Sequence, residues 1–147
     1  MTIEALNELF KRDLAKLKSE IEQYPNDDSL WKTAEGIANS GGNLSAHLCG
    51  NLRHFIGHNL ANDGYVRNRD HEFSMKGESR EVMIREIENT SNAVSAALSG
   101  LSESDLDNIY PDRVPIPDSP TRTILLHLYA HLSYHLGQIN YHRRLLT

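Results

Sequence analysis

The chain has little with which to cross-link itself, grip a polyanion or enter a bilayer. Its one cysteine, Cys49, cannot form an intrachain disulfide, so the fold must hold by burial alone. Fifteen Lys and Arg stand against 20 Asp and Glu, a formal net charge of −5. That balance removes the attraction to phosphate on which non-specific nucleic-acid binding depends. The only basic cluster is Arg143 with Arg144, and no nucleic-acid partner is expected. No window approaches 18 apolar residues, which excludes a helical membrane span. The opening "MTIEALNELFKRDL" has neither a basic stretch nor an apolar run of the secretory kind, so a soluble protein of the cytoplasm is expected. Nine glycines and five prolines are too few for a low-complexity chain.

What is present is helical periodicity. At 147 residues the chain is long enough for one domain, 1–147, that buries roughly 70 per cent of its unfolded surface. Ile3, Leu6, Phe10, Leu14, Leu17, Ile21 and Tyr24 recur every three or four residues and make one stripe on a first helix, which Pro25 and Asn26 end. Asp28 and Ser29 are the next cap signals, and a second helix is expected over roughly 33–62. Gly41 and Gly42 weaken it, each costing about 1 kcal/mol in a helix interior, so a helix broken there is the alternative. Residues 63–78, "DGYVRNRDHEFSMKGE", show no period and read as a salt-bridged surface loop. Ser79 caps a third helix carrying Met83, Ile87, Thr90, Val94, Ala97 and Leu101 at heptad spacing. Four of the five prolines fall in "YPDRVPIPDSP", a stiff extended connection. Ser119 at the cap and Pro120 at the first helical position then start a fourth helix that runs to the end. With no convincing strand, the fold class is all-α: a four-helix bundle with a long loop after helix 2 and a Pro-rich connection before helix 4.

The fourth helix places imidazoles where leucines would be expected. Its inward series reads Ile124, Leu128, His131, His135, Gln138, His142. Residues four apart on a helix lie about 6 Å apart along the axis and roughly 40 degrees around it, so His131 and His135 can reach one point, the geometry of a bidentate metal ligand. A lone buried histidine is more commonly a hydrogen-bonded core residue, and both readings stand for the pair until a third donor is found. The second helix offers His47, His54 and His58 on one stripe with Asn51 between. His47 and His54 stand about 10.5 Å apart along the axis and cannot share an ion. His54 and His58 form a second pair, a competing ligand set. His71 and His127 read as exposed or rim residues, and Cys49 as a small buried apolar residue. Gln138 either orients a ligand or bonds to a neighbouring helix, the second being the expectation.

"HLCGN" in the second helix, "DGYVRNRDHEF" after it and "HLYAHLSYHLGQI" in the last resemble the DinB-like superfamily of small bacterial metal-binding four-helix bundles across nearly the whole chain. The most specific part is His131, His135, Gly137 and Gln138. The resemblance implies His47 as the third ligand beside His131 and His135. His54, His58 and Gln138 remain as supporting groups or alternative ligands. It further implies one divalent ion, zinc or nickel, with a coordination position left to water, and a homodimer. The activity it implies is a thiol S-transferase or a metal-dependent hydrolase acting on a small molecule, with a low-molecular-weight thiol as one candidate. The general acid or base stays unassigned. The non-enzymatic alternative is a metal-stabilised or metal-sensing interaction protein. No Ser/His/Asp arrangement or phosphate-cradling glycine loop is present, so any chemistry is metal-centred.

Overall fold

A computed structural model describes all 147 residues and is all-helical. The first helix, α1, runs Ile3–Glu22, where the Thr2 hydroxyl accepts from the Ala5 amide at its start. Its stripe from Ile3 to Ile21 is buried as the spacing requires, and Tyr24 continues it beyond the helix end. One charged residue joins that stripe: Asp13 is buried, accepting from Arg12 at 2.8 Å and from the Tyr129 hydroxyl at 2.8 Å. Burial pushes its carboxyl up, yet those hydrogen bonds and the guanidinium charge outweigh it and hold the group below the ordinary range.

The second helix is shorter than the 33–62 expected. After a 3₁₀ turn at Asp28–Trp31, the chain passes through an isolated bridge between Ala34 and Ile37, and α2 begins only at Gly41, running to Leu52. Ser40 is its cap, accepting from the Asn43 amide at 3.1 Å. The glycine pair therefore neither sits inside a helix nor breaks one; it forms the first turn. Contact explains it. A Cβ on Gly41 would lie 2.1 Å from the Tyr24 hydroxyl oxygen, and one on Gly42 would lie 2.6 Å from the Trp31 ring. The helix start packs directly under two aromatic side chains that only glycine admits.

Beyond Leu52 the run widens into a π-helical segment, Arg53–His58, and closes with the short α3, Asn59–Ala61. Stretch 63–78 is not the plain surface loop expected. It contains α4, Arg69–Ser74, whose cap Asn68 accepts from the His71 amide. It is fastened to α2 by the buried Asn43, which donates to the carbonyls of Glu72 at 3.0 Å and Met75 at 2.9 Å.

Helix α5, Arg80–Ser99, starts at Ser79 as expected and buries Met83, Ile87, Thr90, Val94 and Ala97; Leu101 lies past its end, half-buried. A 3₁₀ turn at Glu103–Asp107 and the proline-rich stretch lead to α6, Thr121–Leu146. Pro120 itself holds the cap position, so α6 begins one residue later than the Ser119 cap predicts. The Ser119 hydroxyl instead donates to the Pro117 carbonyl. Helix α1 packs on α5 and α6, and α2 packs on α4, α5 and α6. No helix is long and apolar enough to cross a membrane.

The register of α6 differs from the inward series read above. Ile124, Leu125, Leu128, Leu132 and Ile139 are the buried apolar positions, while His131 and His135 are half-buried and Gln138 is exposed. Burying a leucine or isoleucine contributes about 1.5–3 kcal/mol, whereas an imidazole there brings polar atoms that need partners. The helix turns its aliphatic side chains into the core and leaves the histidine pair at the core's edge.

Candidate metal centre

His142 is the exception among the α6 histidines, because it is buried and fully bonded. Its Nε2 lies 2.8 Å from the Lys32 carbonyl, an acceptor, so that nitrogen carries the proton. Nδ1 then accepts from the Tyr24 hydroxyl at 2.7 Å. One tautomer satisfies both, tying α6 to the end of α1 and to the segment before α2. His142 is structural.

His131 and His135 face α2, and His47 comes to meet them. The His131 Nε2 lies 3.2 Å from the Nε2 of His47 and 3.1 Å from that of His135. The ligand atoms of all three lie within 4.8 Å of one another, a group able to hold a metal ion. The rings stand edge to face, His131 against His135 at 88° and His47 against His131 at 76°, and the short Nε2 separations show that their nitrogens converge.

The outward nitrogens explain why. The His47 Nδ1 lies 3.2 Å from the Glu72 Oε1, which can only accept, and 3.3 Å from the Arg67 Nη2, which can only donate. Nη2 already donates to Oε1 at the shorter 2.9 Å, so the carboxylate decides, Nδ1 carrying the proton and Nε2 a lone pair. The His135 Nδ1 lies 2.6 Å from the Gln138 Oε1, while the amide nitrogen of Gln138 donates to the Tyr134 hydroxyl at 3.2 Å. That orientation makes the amide oxygen the acceptor, and His135 likewise presents an Nε2 lone pair inward. Two lone pairs thus converge on the Nε2 of His131, whose own Nδ1 is buried without a partner. A proton on His131 Nε2 could serve only part of this arrangement and would still leave Nδ1 unpaired.

An electrophile among the three nitrogens fits better. Ligand nitrogens about 2.0–2.1 Å from a tetrahedral ion stand roughly 3.3 Å from one another, close to the two short separations here. Electrostatics favour the neutral, ligating form. Burial, with His135, His47, His127 and Arg67 nearby, pushes the His131 pKa down to about 4, and burial lowers that of His135 against the opposing hydrogen bond of Gln138.

Glu72 is the group that sequence reasoning missed. It is buried at 6 % relative exposure, and Arg67 grips it in a fork, Nε to Oε2 and Nη2 to Oε1, both at 2.9 Å. Burial raises the carboxyl's pKa, but the bonds from His47 and Arg67 prevail and lower it, so it stays an anion. Its seat on α2 is Gly50, where a Cβ would stand 1.8 Å from Oε2. The only sequence signal was an acidic residue in an aperiodic stretch, with no spacing to link it to His47.

The remaining candidates lie elsewhere. His54 and His58 sit on the π-helical segment, stacked at 14° with ring centroids 5.8 Å apart, and the His54 Nε2 is 4.0 Å from an Asp112 carboxylate. Neither belongs to the group around His47. His71 and His127 are exposed. Cys49 is buried in the apolar core, its thiol pKa pushed up to about 12 by burial. Gln138 bonds within its own helix rather than to a neighbouring one.

The family model described as "Protein of unknown function (DUF1572)" matches residues 2–147, and the chain belongs to that family. No curated protein matches it.

Proposed function

We propose that this member of the DUF1572 family is a metalloprotein in which His47, His131 and His135 hold one divalent ion, zinc or nickel. The observation that carries the reading is the convergence of one ligand nitrogen from each within 4.8 Å while Glu72 and Gln138 take the outward nitrogens of two of them. A ligand histidine whose second nitrogen is bonded to a carboxylate or amide oxygen is the usual support of a metal site. With it comes the DinB-like resemblance: α1, the α2-to-α3 run, α5 and α6 would be the four helices of that bundle, in a homodimer of the cytoplasm. Light scattering that returns 16.6 kDa at every concentration removes the dimer from this reading.

Three neutral imidazoles leave an ion its full charge and a free position, so it would supply Lewis acidity that acidifies a water or a thiol. The chain's own groups do the rest. Glu72 and Gln138 hold the tautomers of His47 and His135, and Arg67 keeps Glu72 ionised. The activity we propose is a thiol S-transferase or a hydrolase acting on a small molecule. The competing reading, a non-catalytic metal-stabilised or metal-sensing protein, needs a fourth protein ligand. His54 and His58, the candidates for it, are not in the cluster.

The test is cobalt substitution after elemental analysis. One ion per chain is expected, with a visible spectrum that responds to azide or a small thiol and vanishes in His135→Ala. A cobalt spectrum indifferent to every small ligand favours the structural reading, and a protein that takes up no divalent ion ends both.

A further inference from the structure

Beside the histidine cluster, a cleft opens along the C-terminal half of α6. Its volume of about 510 Å³ is that of a small-molecule site, which typically holds about 300–1,000 Å³. His135 and Gln138 lie on one side. Ile37 comes from the segment before α2, Leu44 from α2, and Tyr134, Tyr141 and Leu145 from α6. No Asp, Glu, Lys or Arg lines it. Of the eight large apolar side chains the molecule leaves exposed, three, Tyr134, Tyr141 and Leu145, gather on this one rim.

Besides the exposed Asn39 and the fully bonded His142, the polar equipment of the cleft is a chain of hydrogen bonds that starts at His135. The His135 Nδ1–H donates to the Gln138 oxygen, and the Gln138 amide donates to the Tyr134 hydroxyl oxygen. The phenol oxygen is thereby occupied as an acceptor, and its hydrogen donates to nothing else in the chain. It is left to serve an acceptor brought from outside. In the metal-free chain an anion would enter a protein of net charge −5 with no cation in the cleft wall, Arg144 being exposed and already stacked on the Tyr141 ring, and a cation would lose its water without a counter-charge; either costs far more than seating a neutral apolar group.

We propose that this cleft binds an uncharged small molecule with a flat apolar body and one hydrogen-bond acceptor. The body lies between Ile37, Leu44, Tyr141 and Leu145, and the acceptor meets the Tyr134 hydroxyl. As a substrate site beside an ion it rests on the three-histidine reading; the binding itself does not require the ion.

The test uses three probes of one shape, benzamide, benzoate and benzylammonium, titrated into the full chain with and without zinc while amide resonances are followed by NMR. In the zinc-free chain benzamide should shift Ile37, Tyr134, Gln138 and Tyr141 and bind at least about tenfold more tightly than either charged analogue; with zinc, benzoate alone gains from the ion. Tyr134→Phe should weaken benzamide about fivefold and leave fluorobenzene, which offers only a feeble acceptor, unchanged. Ala38→Trp, at an exposed loop position on the cleft wall, should block all the probes without unfolding the protein. Equal binding of the charged analogues to the zinc-free chain, or benzamide binding insensitive to both substitutions, overturns the proposal. So does a set of cleft resonances that shifts on simple dilution while benzamide has no effect, since a second copy of the chain would then occupy the face. Benzamide binding in a protein that takes up no zinc would defeat the metal reading and leave the cleft standing; zinc uptake without benzamide binding would do the reverse.

Discussion

Of the histidine pairs at four-residue spacing, His131 with His135 joins a third imidazole in a cluster and His54 with His58 does not. His131 and His135 lie on a regular α-helix with their rings at 88° and their Nε2 atoms 3.1 Å apart. His54 and His58 lie on a π-helical segment with their rings nearly parallel and 5.8 Å apart, faces together rather than nitrogens. Spacing brings two imidazoles to one side of a helix; it does not aim them. For His135 and His47 the aim comes from what holds the outward nitrogen, while His131, like His58, buries an Nδ1 with no partner. His135 has Gln138 and its convergent neighbour His47 has Glu72, whereas the His58 Nδ1 is buried without a partner and His54 has only a carboxylate at 4.0 Å.

The contrast breaks most directly by deletion. His131→Ala and His135→Ala should take metal content from one ion per chain to none by elemental analysis, while His54→Ala and His58→Ala leave it at one. Loss of metal in either of the latter would mean that the stacked pair is a ligand set after all.

A smaller effect tests the support rather than the ligands. Gly50→Ala should raise intrinsic helix propensity by about 1 kcal/mol, yet its Cβ needs the space of the Glu72 carboxylate. Zinc affinity by competition titration should fall about 10- to 100-fold, as it should in Glu72→Gln. Unchanged affinity in both would show that the carboxylate does not hold His47. Gln138→Ala should cost about tenfold, since the α6 backbone still fixes the position of His135.

The smallest effect falls on the other pair. Burial, followed by the charges of Arg67 and His58, lowers the His54 pKa. A histidine with a folded pKa below its unfolded value of about 6.5 takes up protons more readily when unfolded. Its stabilising contribution is present above about pH 6.5 and is lost as pH falls through the folded value. Thermal melts of the metal-free protein between pH 7 and 5 should therefore show a shallower acid decline in His54→Asn than in the wild type, by a degree or two at most on the order of. An identical decline would remove His54 as a contributor.

How much of this was legible depended on whether the cause was local. The α1 stripe, the Ser79 cap and the α5 heptads are written within a few residues of where they act, and the structure follows them. The His131/His135 pair is local too, and His47 was reached through resemblance rather than through spacing. The late start of α2 was hidden because its cause is remote: Tyr24 and Trp31 press on Gly41 and Gly42, and nothing within a helical window announces that contact. The register of α6 is ambiguous in the sequence, since Leu125, Leu128, Leu132 and Ile139 offer a core stripe as regular as the one through the histidines, and the aliphatic one is buried. Glu72 was least legible, because its burial is the joint product of Gly50, Arg67 and the Asn43 amide that anchors its helix.

That anchoring has a thermodynamic consequence. The carboxylate beside His47 is carried not by one of the long helices but by α4, six residues long, which two side-chain hydrogen bonds from Asn43 and the one between His47 and Glu72 hold to α2. Such a segment opens more readily than the core beneath it. If the supported form of His47 exists only while α4 is docked, apparent affinity is the intrinsic affinity scaled by the docked fraction, and by reciprocity the occupied centre must hold α4 down. Metal should accordingly slow amide hydrogen exchange in residues 67–75 by the same factor that loosening them costs in binding, so a change in Asn43, which touches no ligand atom, would be read at the ion.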